Sequence, residues 1–242
     1  MPSSTDIILL ASAARVASGT GASVDLGLKT GLALDLAVSA AGGASPTLDV
    51  TLETSKDGAA WRTLGAFPRV TAAGPMSKVF AGADRYLRAV WELGGVGPSF
   101  TFGLAGRALL LYATPADVAV YGVVSTRLKN LDPEHLAKHL VAATDQANEQ
   151  IGNRFTLPLV SWPDSLRKYI SEITAWAALS SAVGVNPQTG DQDIRQRHDA
   201  ALRMLVSLGA EEGVAAPGYI DSTPDEYDGG GGFVESDPPR GW

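Results

Sequence analysis

Leu32, Leu34, Leu36 and Val38 alternate with Ala33, Asp35, Ala37 and Ser39, the period-two pattern of a strand with one buried face. Leu48, Val50 and Leu52 alternate with Asp49, Thr51 and Glu53 in the same way. Asp57-Gly58 then supplies a tight hairpin turn, and residues 61–64 read as a short return strand. Farther on, Leu87, Ala89, Trp91 and Leu93 share one face of a strand, and Phe100, Phe102 and Leu104 share one face of the next. The glycine-rich stretch 94–98 is the expected turn between them. Adding residues 7–13, 22–26 and 76–80 gives about eight short strands separated by turn signals, the spacing of a two-sheet sandwich or jelly roll.

The period changes at Thr114. Thr114-Pro115-Ala116-Asp117 combines an N-cap threonine, a proline at the first helical position and an acid at the third, with Gly122 closing a short helix. Asp132-Pro133-Glu134 repeats the device before a long helix that presents Leu136, Leu140, Ala143, Ala147 and Ile151 on one face. Pro158 and Pro163 bound an extended connector, residues 157–162. A third helix begins near Asp164 or Ser165 and aligns Leu166, Ile170, Ile173, Trp176, Leu179 and Val183, with Gly184 as its stop. A fourth, capped by Asp191, presents Ile194, His198, Ala201, Leu202 and Leu205 and is expected to end at Gly209. The fold class expected is therefore an all-β, sandwich or jelly-roll-like N-terminal domain (1–110), an all-α four-helix domain (111–210) and an extended acidic C-terminal tail (211–242) rich in Gly and Pro.

Charge sharpens the division. Residues 1–112 hold nine Lys/Arg against eight Asp/Glu, and residues 113–210 hold nine against ten. Residues 211–242 hold eight acids and one base, Arg240, so they account for the whole of the net charge of −7. Two near-neutral units and an acidic tail lack the basic footprint of a nucleic-acid binder, which also counts against a DNA-reading helix-turn-helix. Acidic, Gly-rich tails are usually solvated chain. The absence of cysteine excludes disulfides, thiolate catalysis and Cys-ligated metals. The apolar runs at 7–11 and 108–113 are too short to span a bilayer, and the N-terminus lacks the basic start of a signal peptide. A soluble protein is expected.

Catalytic chemistry is hard to find. No Gly-x-Ser-x-Gly elbow and no phosphate-binding Gly loop followed by Lys-Ser/Thr occurs. His135 and His139 stand four apart, a spacing that suits a metal, but Leu136, Ala137 and Lys138 between them leave out the glutamate of a zincin pair. The expectation is two surface histidines on a solvated face, and a partly buried core or interface position for His198. Asp191 with Asp193, and Asp225, Glu226 and Asp228, lack the loop of a calcium site. Trp61, Phe67 and Tyr86 are expected in the sheet core, with a sugar-binding platform as the other reading. No catalytic residue, cofactor or metal is expected, and the chain reads as a non-enzyme.

Three stretches carry a family resemblance. They are Leu111-Tyr112-Ala113-Thr114-Pro115-Ala116-Asp117-Val118 followed by Tyr121-Gly122, then Ile151-Gly152-Asn153-Arg154-Phe155-Thr156-Leu157-Pro158-Leu159, and finally Arg197-His198-Asp199-Ala200-Ala201-Leu202-Arg203-Met204-Leu205. In this order and spacing the segment from Tyr112 onward resembles the phage Mu-type family of head–tail connector (adaptor) proteins. The first part is similar to β modules of phage virion proteins through stretches such as Ser45-Pro46-Thr47-Leu48-Asp49-Val50 and Arg85-Tyr86-Leu87-Arg88.

The resemblance implies a structural protein of the virion neck, assembled in the host cytoplasm. It would form a homo-oligomeric ring, commonly a dodecamer, beneath the portal protein. Tail-side neck proteins (stopper and terminator) would lie below it, and DNA would pass through without sequence-specific contact. It also implies that the C-terminal segment docks on the portal, which makes Tyr219, Tyr227, Phe233, Val234, Arg240 and Trp242 the expected portal-binding residues. The alternative is a carbohydrate- or host-binding virion module carried by the sandwich.

Overall fold

The computed structural model describes residues 4–122, 128, 130–182, 192–210 and 218–220. Seven strands occur among them: β1 (Ser4–Arg15), β2 (Gly19–Thr20), β3 (Val24–Asp25), β4 (Gly31–Ser55), β5 (Arg62–Ala66), β6 (Gly74–Ala81) and β7 (Tyr86–Leu109). All pairings are antiparallel.

The spine is the pair β4–β7, which runs from Gly31 opposite Leu109 to Ser55 opposite Tyr86. Each long strand changes partners half-way. The 31–38 part of β4 pairs with β6, and its 51–54 part pairs with β5. The 100–109 part of β7 pairs with β1, and its start pairs with β2 and β3. Leu32, Leu34 and Leu36 from one half meet Leu48, Val50 and Leu52 from the other in a single core, together with Leu87, Phe100, Phe102 and Leu104. The sheet therefore closes over itself as a sandwich.

This corrects the expected strand count. The glycine-rich stretch 94–98 is not a chain reversal, and residues 32–39 and 48–53 belong to one strand. The register slips between Val38 and Ala40, between Gly42 and Ala44, and between Ala44 and Thr47, the mark of bulges that bend a pair without breaking it. The slip is why β7 turns even-numbered residues inward beyond 100 and odd-numbered ones before 93. Gly43 (φ 104°) and Gly95 (φ 103°) take the left-handed backbone there. A Cβ on Gly43 would lie 2.6 Å from the Gly97 carbonyl oxygen, so the two strands touch backbone to backbone at the corner. Residues 22–26 likewise form only the short β3, with β2 before it.

The Asp57-Gly58 turn forms as expected. Asp57 Oδ1 accepts from the backbone N–H groups of Ala59 and Ala60, at 2.9 Å each, and Gly58 has φ 76°. These bonds hold the Asp57 carboxyl down at about 2.

Among the described residues four helices are seen in full: α1 (Pro115–Asp117), α2 (Pro133–Ile151), α3 (Asp164–Ala182) and α4 (Gln192–Ala210). The first runs into a π-helical turn, Val118–Gly122. Thr114 and Asp117 make a reciprocal capping box, and Asp132 caps α2. The buried faces include Leu140, Ala143, Ala147 and Ile151 on α2, Leu166, Ile170 and Ile173 on α3, and Ile194, Ala201 and Leu205 on α4. Val183, Gly184 and Asp191 lie outside the described residues.

α4 is described to Ala210, one residue past the expected end at Gly209. A side chain at 209 would run into the Gln150 carbonyl at the end of α2. The glycine is there for close helix approach.

The two units are joined without an exposed linker. Leu109, Leu110, Leu111, Tyr112 and Ala113 are all buried in the helical core, and Ala33 and Ala81 of the sheet pack against the same cluster. α2 lies along β6.

Candidate functional site

Tyr112 is the hinge pin of the helical unit. Its hydroxyl donates to Asn148 Oδ1 of α2 at 2.5 Å, and its carbonyl accepts from Trp162 Nε1 at 2.9 Å. The Tyr112 and Trp162 rings meet edge to face at 5.1 Å. Burial pushes the Tyr112 phenol up to about 12, with a smaller opposing pull from a backbone hydrogen bond at Leu159. One tyrosine thus ties together the chain entering the helices, α2 and the connector 157–162.

That connector receives the beginning of the C-terminal segment. Val160 N–H donates to the Ile220 carbonyl at 2.7 Å and Ser161 N–H to the same oxygen at 3.2 Å, while Ile220 N–H donates back to the Ser161 carbonyl at 3.0 Å. Tyr219 stacks on Phe155 at 5.3 Å, and its phenol hydrogen-bonds the Ser165 side chain. Tyr219 is half-buried and burial raises its pKa, whereas Ile220 is 59% exposed. Of the expected portal-binding residues, Tyr219 is therefore packed against its own chain. Tyr227, Phe233, Val234, Arg240 and Trp242 lie outside the described residues.

The histidine pair departs from expectation. His135 and His139 are half-buried against the end of α3, with ring centroids 4.6 Å apart. Both Nε2 atoms meet the Ser181 hydroxyl, at 3.0 Å from His135 and 2.9 Å from His139. Burial, helped by the neighbouring His135, lowers the pKa of His139. The Ser181 hydroxyl also donates to the Ala177 carbonyl of its own helix at 2.7 Å, so it bridges the two imidazoles and fastens α2 to α3. No group of three or more metal-ligating side chains occurs among the described residues. His198 is partly buried, as expected, with Trp176 at 5.7 Å and Asp199 at 2.9 Å.

The pattern of hydrophobic positions missed one carboxylate. Glu172 on α3 is 6% exposed, and burial raises its pKa against the pull of Lys168 and Arg197. Its neighbours Ser171 and Thr174 are buried too, each donating its hydroxyl to the carbonyl one turn back, at 2.7 Å. α3 is covered nearly all round because α2, α4 and the π-helical turn surround it. Three polar positions among four residues, 171, 172 and 174, hide this from a hydropathy reading; the small hydroxyls that bond their own helix were the available signal.

On the sandwich, Phe67 is in the core, whereas Trp61 and Tyr86 are half-buried at the surface. The Arg88 guanidinium lies over the Trp61 ring at 4.1 Å and is paired with Glu53, while Arg85 covers Tyr86 at 5.2 Å. Between the sheet and α2 opens a crevice of about 450 Å³ lined by Asp6, Asp35, Lys78, Arg107, Glu134 and Lys138 among others. Its charges are of both signs, with Lys138 paired to Glu134 at 2.8 Å, while Ser77 donates its hydroxyl to Asp35 at 2.5 Å. Among the described residues no helix is long and apolar enough to cross a membrane.

The family model described as "Bacteriophage Mu, Gp36" matches residues 112–234, just over half of the chain, from the buried tyrosine into the acidic segment. The chain belongs to the bacteriophage Mu Gp36 family. Its role is accordingly a phage structural one, and the family points away from catalysis. This Gp36-family chain matches no curated protein. Among solved structures it is similar to the SPBc2 prophage-derived protein YomS, with 11% identity over 45% of this chain and 96% of that one, at a TM-score of 0.31. It is also similar to a structure of the CBM51-2 (in complex with GlcNAc) and INT domains of Clostridium perfringens ZmpB. There the identity is 10% over 78% of this chain and 33% of that one, at a TM-score of 0.25. TM-scores of this size establish no shared fold. The β-sandwich precedes the family segment, so this Gp36-family member carries it as a fused N-terminal part.

Proposed function

We propose that this Gp36-family protein is a head–tail connector of a tailed phage. Copies of the helical unit pack side by side as a ring, twelvefold as in the connectors it resembles, beneath the portal protein. The tail-side neck proteins bind below, DNA passes through the ring without sequence-specific contact, and the acidic C-terminal segment docks on the portal.

The observation that carries this reading is the family match, which takes in the helical unit and the acidic segment together. Two features of the structure support it. α4 is the least buried of the three long helices, with only Ile194, Ala201 and Leu205 buried, and it leaves Met204 and Val206 half exposed for a lateral neighbour. The buried passage from sheet to helices also gives each copy a sandwich held in fixed orientation, as a collar around a ring requires.

The test is mass photometry of the purified chain, alone and then with the portal protein of the same phage. Addition of about twelve copies to each portal is expected for a closed ring of this kind. A chain that leaves the portal unoccupied at micromolar concentration overturns the connector reading.

A further inference from the structure

We propose that residues 218–220 are a built-in root for the C-terminal segment: a clip that fixes where the acidic chain beyond Ile220 leaves the helical unit, so that it is presented to its partner from a set origin. The inference rests on the docking role proposed above and adds to it the residues that position the segment.

Five contacts hold the root. Three backbone hydrogen bonds pair Ile220 with Val160 and Ser161, and Tyr219 adds the stack on Phe155 and the bond to Ser165. Gly218 turns the chain into this position with φ 86°, close against Pro163. The receiving strip, 157–162, is itself held by Trp162 to the Tyr112 carbonyl. The root is therefore connected through one residue to the buried centre of the unit. Chemistry divides at Ile220. On one side the aromatic ring is turned inward, and on the other come Asp221, Asp225, Glu226 and Asp228, which suit a basic surface.

A fixed root changes the effective concentration of the docking residues. The proposed docking residue Trp242 lies 22 residues beyond Ile220 and 32 beyond Ala210, the last described residue of α4. For a tethered binding group local concentration falls roughly as the −3/2 power of tether length, so releasing the root weakens docking about 1.8-fold per copy from length alone. The factor multiplies over copies that bind together.

The variant Ile220→Pro tests this in the full chain. It removes the N–H that bonds the Ser161 carbonyl, and the side chain it replaces is exposed, so the core is untouched. Hydrogen exchange at the Val160 and Ser161 amides is expected to quicken at least tenfold, and portal affinity to fall twofold or more. Unchanged exchange at both amides shows that the ladder does not hold the segment and overturns the inference. Faster exchange with unchanged portal affinity also overturns it, provided that a chain truncated after Ile220 does lose affinity. If the truncated chain binds portal as the full chain does, docking by this segment fails, and the clip's role in presenting it fails for that separate reason.

Discussion

The Tyr112 hydroxyl bonds Asn148 Oδ1 across 36 residues of sequence, inside the helical core. Tyr112→Phe leaves the buried amide oxygen of Asn148 without its donor, so a loss of about 1–3 kcal/mol is expected. Urea denaturation measures it. The double change Tyr112→Phe with Asn148→Leu is expected to cost less than the two single changes added together, because the Asn148 amide is no longer left without its partner and only the Leu159 N–H that bonded the phenol is.

Gly209 faces the Gln150 carbonyl with no room for a side chain. Helix propensity alone makes Gly209→Ala stabilising by about 1 kcal/mol. The backbone contact predicts the opposite sign, a loss of about 1–3 kcal/mol from forcing α4 off α2. The direction of the change in thermal midpoint separates the two.

Glu172 and His139 respond to pH with opposite signs. Burial raises the Glu172 pKa, so its folded form holds the proton more tightly than the unfolded chain does. Its contribution is greatest below the ordinary carboxyl range and is lost as pH rises through the raised value. Burial lowers the His139 pKa, so its contribution is present above the ordinary imidazole value and is lost as pH falls through the lowered one. Denaturation curves from pH 4 to 8 should show Glu172→Gln gaining stability relative to the parent as pH rises. His139→Gln should be least damaging at the acid end.

Leu111 lies between the sheet and the helices, against Gly31 on one side and within the helical cluster on the other. The units are therefore expected to unfold in one calorimetric transition. Leu111→Ala should lower its midpoint, with a cost of about 2–5 kcal/mol. Two transitions, with only one moved by the substitution, would show that the units are independent.

Much of this was legible in the sequence, because the information was local. Period-two alternation identified the inward faces of β4 and β7 correctly, down to Phe100, Phe102 and Leu104. Spacing by three and four identified the helices, and short-range side-chain chemistry placed the Thr114–Asp117 box and the Asp57-Gly58 turn. The aromatics of the candidate site were legible only as residue types. Nothing near Tyr219 in the chain says that Phe155 will take its ring, because that stack depends on how α2 ends and where the connector runs.

By itself the sequence determined element type, strand facing, helix starts and the placing of all excess acid after residue 210, since each follows from neighbours within a turn or a pleat. Tertiary structure decided the rest. It made the glycines at 94–97 a bulged corner instead of a reversal, because a partner strand continued alongside to accept their hydrogen bonds. It set Gly209 against the Gln150 carbonyl, enclosed Glu172, and turned Tyr219 inward. Each of these rests on groups distant in sequence, which only a packed chain brings within reach.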